Sequence, residues 1–173
     1  DKINTVIEMY PKGIAGFKSY VDLLETEPDV KDTEGARDVY GLKGEIEYRN
    51  VTFGYDEHSH VLKDIDLKIK QGETVAFVGP SGAGKSTICS LLPRFYDVDE
   101  GEITIDGIST KSMTLSSLRQ QIGIVQQDVF LFSGTIRENI AYGNLEASDA
   151  EIWEAVRSAH LEELVQRFPE GLN

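Results

Sequence analysis

Residues 79–87 read GPSGAGKST, a glycine-spaced run ending in a lysine and two hydroxyl side chains. Between Gly79 and Gly84 such a backbone can curl until successive N–H groups point inward, which makes a concave anion site where a helix begins. Lys85 adds a compact positive charge for outer phosphates, and the Ser86 hydroxyl is a hard oxygen donor suited to Mg²⁺. The flanks fit as well: Thr74–Val78 reads as a strand, its Val75–Val78 portion apolar enough to be buried on both faces, and 88–92 reads as a helix. The expectation is a phosphate-binding loop contacting its ligand through Gly79, Ser81, Gly82, Ala83, Gly84, Lys85, Ser86 and Thr87.

Several classes of function are excluded by bulk properties. A chain of 173 residues has room for about one core. Its 40% hydrophobic and 27% charged residues place it outside the disordered class. A formal net charge of −13 disfavours nucleic acid or an anionic membrane as a partner. The same charge would repel ATP, but surface charges are screened over about 8 Å at physiological salt, whereas loop amides and Lys85 act within hydrogen-bond reach. No apolar run approaches the roughly 20 residues that span a bilayer, and no signal peptide opens the chain, so neither a crossing nor export is expected. The single cysteine, Cys89, permits no internal disulfide and, on the loop helix, is expected as a small buried side chain.

Other elements must position the loop. Apolar residues Ile3, Val6, Ile7, Tyr10, Ile14, Phe17, Val21 and Leu24 recur at helical spacing, with Pro11, Gly13 and Gly16 expected to kink or break the helix. Residues 25–44, acidic and glycine-containing, read as a solvated linker, placing the start of the compact domain near Gly44. Residues 45–53 and 62–70 alternate as half-exposed antiparallel strands, the first with a bulge near Asn50. A short strand is expected at 102–106, a short helix around Leu115–Arg119, and a second buried strand at 122–125. Thr135 with Glu138 and Ser148 with Glu151 have capping-box spacing and announce helices at 136–142 and 149–168.

Taken in order, these features resemble the nucleotide-binding domain of an ATP-binding cassette (ABC) transporter of the exporter type. Tyr55, in VTFGYDEH, matches the family's adenine-stacking aromatic; such stacking adds affinity more than base selectivity. IGIVQQDVFLFSGTIRENI, residues 122–140, looks like the family's glutamine loop and the start of its helical subdomain. There Gln127 matches the residue that touches Mg²⁺ and the attacking water and senses the transmembrane partner, with Gln126 as its competitor. RFYDVDEGEITIDG resembles the family's stretch in which a strand returns to the sheet, and the N-terminal helix with its acidic linker is similar to the cytoplasmic end of a last transmembrane helix.

The resemblance implies an α/β fold, a P-loop NTPase core with an antiparallel β subdomain, the start of a helical subdomain and an incomplete sheet. Residues 1–43 would be helix and linker from a transmembrane domain, and 44–173 the N-terminal part of the cassette. It further implies ATP and Mg²⁺ as cofactors, with Lys85 and Gln127 in catalysis and Ser86 and Gln127 as metal ligands. The partners would be the transmembrane domain and a second nucleotide-binding domain, at the cytoplasmic face of the cell membrane. The parent would be an ATPase driving export.

The family's signature (LSGGQ-type), its magnesium-binding Asp with catalytic Glu, and its switch histidine do not occur in residues 1–173. Asp106 ends a strand-like run but is followed by Gly107, and Leu115–Arg119 (LSSLR) lacks the two glycines that approach phosphate. The chain alone is therefore expected to bind nucleotide weakly without turnover, truncated ahead of those motifs. The rival readings are a small-molecule P-loop kinase, for which Arg94, Arg119 and Arg137 show no lid-like clustering, and a non-catalytic interaction module. His58 and His60 lack the further ligands of a zinc site, and His160 and Trp153 are expected to pack on helices.

Overall fold

The computed structural model describes residues 2–56 and 58–173, and within the first helix the side chains of residues 10, 11, 14 and 16–25. The chain forms two compact units, Asp1–Gly123 and Ile124–Asn173.

The first unit is built on a four-stranded antiparallel sheet of β1 (Ile46–Phe53), β2 (Leu62–Ile69), β3 (Glu100–Ile105) and β4 (Ile108–Ser109), in the order β2-β1-β3-β4. Alternation puts Tyr48, Val51, Phe53, Leu62 and Ile103 on the buried side, where they meet Leu91 and Val98. The expected bulge is present. The β1–β2 register shifts between Tyr48 and Val51, with Asn50 at φ 46°. Helix α2 (Lys85–Leu91) lies against this core through Leu91 and Ile88, and the Tyr48 hydroxyl donates to the Ile88 carbonyl at 2.8 Å. Burial pushes the Tyr48 phenol well above its usual range, so it remains a donor at any physiological pH.

Two expected strands do not form. Residues 73–79 and 122–126 are irregular, with Val78 95% and Val125 99% exposed. An apolar strand of this kind needs ladder partners on both sides and cover on both faces, and the described residues supply neither. The same gap explains Cys89, expected buried but exposed. It borders an open apolar recess lined by Ile46, Ile69 and, from the irregular segment, Val75 and Phe77.

The first helix, α1 (Lys2–Glu25), is continuous through Pro11 instead of broken. Tyr10, Ile14, Phe17, Tyr20, Leu23 and Leu24 on it are exposed, while Ile3, Val6 and Ile7 lie outside the residues whose side chains are described. Residues 31–44 are not a freely solvated linker but a strap bonded to the β3–α3 region, where α3 is Leu115–Arg119. Arg37 N donates to the Ser112 carbonyl and Thr114 N to the Arg37 carbonyl, each at 3.0 Å. The Gln121 amide is bonded to the main chain of Val39 and Leu42. Polar composition concealed this docking because its bonds are mostly main-chain, while Val39 and Leu42 pack beside Met113 and Leu118.

The second unit contains α4 (Ile136–Ala141), α5 (Asp149–Ser158) and α6 (Glu162–Gln166). Both capping boxes are made as expected, Thr135 with Glu138 and Ser148 with Glu151. Two hydrogen bonds from Ser148 hold the Glu151 carboxyl below its ordinary range. The expected single helix over 149–168 divides at exposed His160, whose φ of 56° is incompatible with continuation, so His160 has no packing role. Trp153 packs beside the core of Ile152, Val156, Val165 and Leu172.

Candidate functional site

The loop runs from the irregular segment 73–79 into α2. Gly82 (φ 80°) and Gly84 (φ 82°) adopt the left-handed conformation that turns the chain into the helix. At Gly84 two requirements coincide, because a β-carbon there would stand 2.6 Å from Leu62 Cδ2. Gly84 is also the N-cap and brings no side chain to cap the first turn. The amides that open α2 thus meet no side-chain acceptor at their own cap, the condition under which a helix start receives an anion.

Lys85 folds back over the loop, its Nζ donating to the Gly79 carbonyl at 2.9 Å and the Pro80 carbonyl at 2.8 Å. Ser86 is exposed at the first turn and Thr87 is buried beneath it. The donor set is all oxygen, a hydroxyl joined by whatever phosphate oxygens arrive, and this suits Mg²⁺ rather than a softer metal. Gln127 lies in the second unit, exposed at a bend.

Tyr55 follows β1 and is brought to the loop helix. Its hydroxyl is hydrogen-bonded to Thr87 Oγ1 at 3.1 Å, and its ring is half exposed. Phe53 and Tyr96 stand nearly perpendicular to this ring, with centroids at 5.0 and 5.1 Å. The structure therefore gathers Tyr55, Thr87 and the loop glycines in one place. Nothing in the sequence marks Tyr96 beyond the RFYD run, and only the meeting of two turns reveals it.

Other residues are accounted for structurally. Asp106 accepts from the main-chain N–H of Lys43 and from Gly44 (3.4 Å) and Glu45 (2.9 Å), which hold its carboxyl below the usual range. It anchors the strap. Arg94 is paired with Asp97, Arg119 donates to the carbonyls of Pro93 and Arg94 and lies over the Phe95 ring, and Arg137 is paired with Asp149. These arginines are committed to architecture. His60 lies 3.6 Å from Asp99.

The ABC transporter family model matches residues 62–172, and the chain belongs to that family. It is 71% identical over all 173 residues to an uncharacterized ABC transporter ATP-binding protein, YwjA, of Bacillus subtilis (strain 168), covering 30% of that protein. It is 44% identical over 170 residues to the ATP-dependent lipid A-core flippase of Syntrophus aciditrophicus (strain SB), covering 98% of this chain and 28% of the flippase. Among solved structures, a bacterial Atm1-family ABC exporter with ATP bound superposes with a TM-score of 0.82 at 39% identity, over 100% of this chain and 30% of the exporter. The fold is that of an exporter's ATP-binding domain, and the chain spans about 30% of the length of these relatives. Among the described residues no helix is long and apolar enough to cross a membrane.

Proposed function

We propose that this chain is the nucleotide-gripping portion of an ABC exporter's ATP-binding domain, whose parent hydrolyses ATP to move a substrate across a membrane. The amides of Gly82, Ala83, Gly84, Lys85, Ser86 and Thr87, with Gly79 and Ser81 completing the loop, cradle the phosphates. Thr87 reaches the α-phosphate, Lys85 the outer phosphates, and Tyr55 stacks the adenine. The observation that carries this reading is the uncapped start of α2 behind left-handed Gly84, with Lys85 folded over the same loop.

Mg²⁺, for which the Ser86 hydroxyl is the ligand that the first unit offers, would supply charge neutralisation on the phosphates. The chain's own residues do the rest. Lys85 stabilises charge that develops on the γ-phosphoryl oxygens, and the Gln127 side chain orients water from a loop position. The names of the flippase and the exporter support an export role for the parent, with a transmembrane domain and a second nucleotide-binding domain as partners at the cytoplasmic face. Residues 1–43 then form the connection from the transmembrane part, and 44–173 the N-terminal part of the cassette. The chain by itself binds nucleotide weakly and does not turn it over, because residues 1–173 contain neither a signature motif nor an apolar strand ending in Asp-Glu.

Calorimetry of the intact parent protein with magnesium ATP tests the grip. Lys85→Ala is expected to weaken binding about ten- to hundredfold, the value of a hydrogen bond to a charged group. Wild-type affinity in that variant would overturn the reading.

A further inference from the structure

We propose that Tyr96 is a positioning residue for the base platform, holding the Tyr55 ring edge-on so that a nucleobase finds its stacking face open; this rests on the reading of Tyr55 given above. The Tyr55 and Tyr96 planes stand at 88° and those of Tyr55 and Phe53 at 82°. Neither neighbour lies parallel to Tyr55, so neither takes the offset-stacked place that a purine would occupy. Phe53 and Tyr96 also touch each other, with centroids 5.6 Å apart, which closes a three-ring cluster. The bond from the Tyr55 hydroxyl to Thr87 Oγ1 adds a further point of attachment. With two perpendicular ring neighbours and its hydroxyl engaged, and still 54% exposed, the ring gives up torsional freedom that base binding would otherwise have to remove.

The turn that carries Tyr96 is itself fixed at both ends. Asp99 N donates to the Thr52 carbonyl at 3.0 Å, and Gly54 N donates to Asp99 Oδ2 at 2.8 Å, so the turn is tied to the end of β1 from which Tyr55 departs. Its other end continues from α2, the helix that begins at the phosphate loop. The turn that bears Tyr96 therefore joins the end of β1, from which Tyr55 departs, to the helix that begins at the loop.

The test titrates intact parent protein with magnesium ATP and separately with magnesium tripolyphosphate, for wild type, Tyr96→Leu, Tyr96→Phe and Tyr55→Ala, and measures steady-state phosphate release. Tyr96→Leu is expected to weaken ATP binding about two- to tenfold, the worth of an edge-to-face pair, with tripolyphosphate unchanged. KM for ATP rises by the same factor at unchanged kcat, and Tyr96→Phe behaves as wild type. If Tyr55→Ala loses ATP affinity and Tyr96→Leu does not, the positioning role is overturned while stacking stands. Equal loss of both ligands in Tyr96→Leu also overturns it, as a general loosening of the loop. If Tyr55→Ala itself keeps wild-type affinity, the stacking assignment falls, and the role of Tyr96 with it.

Discussion

Arg94 grips Asp97 with two nitrogens, Nε to Oδ1 at 2.8 Å and Nη2 to Oδ2 at 3.1 Å, from a backbone held at φ 53°. The arginine is 2% exposed, and Nη2 also donates to the Lys31 carbonyl at 3.2 Å. One buried cation thus shapes the turn after α2 and receives the beginning of the strap. Among the described residues its Nη1 is buried without a hydrogen-bond partner, so the pair already bears part of a desolvation penalty that Asp97 offsets.

Removing the carboxylate leaves that cation stranded. Asp97→Ala is expected to destabilise the fold by about 2–3 kcal/mol, less than a fully enclosed pair would lose because the Asp97 side chain is 36% exposed. Arg94→Met combined with Asp97→Ala should recover part of the loss, since no unpaired charge remains. Urea unfolding followed by circular dichroism checks both, and a single variant within about 0.5 kcal/mol of wild type would contradict the account.

At Gly84 backbone and packing act together. Gly84→Ala forces a β-carbon into the left-handed region, at about 1–2 kcal/mol, and drives it toward Leu62 and Val61. Stability and nucleotide affinity should both fall, the latter by at least tenfold if the loop is displaced. Adding Leu62→Ala removes the nearest clashing atom but not the unfavourable φ, so only partial recovery is expected in thermal melts and calorimetry.

The strap should be sensitive to acid. Main-chain N–H donors of Glu45, Lys43 and Gly44 depress the Asp106 carboxyl in the folded chain. Its contribution is therefore complete above the unfolded value of about 3.9 and is lost as pH falls through the lower folded value. Asp106→Asn should cost about 1 kcal/mol at pH 7, modest because the group is solvent-screened, and the gap to wild type should begin to narrow only as pH falls below about 4. Unfolding midpoints at pH 7, 5 and 3.5 provide the measurement. An offset that stays constant with pH would show that the carboxylate charge is not what holds the strap.

What could be read from sequence was whatever is decided locally. The glycine turn into α2, the bulge at Asn50 and both capping boxes depend on neighbours a few positions away, and each is found where its residues stand. Gly84 was legible as part of a motif, though its contact with Leu62 was not. The apolar runs at 74–78 and 122–125 misled because a strand is a relation between segments, and composition does not say whether a ladder partner is at hand. Docking of residues 31–44 was hidden for the opposite reason: polar side chains suggested solvent, while the bonds went through the main chain. Tyr96 combined both difficulties, since its meaning lies in the place where two turns converge.

The two bonds from Lys85 to the carbonyls of Gly79 and Pro80 have one more consequence. A lysine tail free in solvent would surrender up to about 2 kcal/mol of rotamer freedom when a ligand captured it. Here folding has already immobilised the tail, and its ammonium sits among acceptors that an arriving phosphate need only replace. If nucleotide binds as proposed, the site is preorganised before it enters.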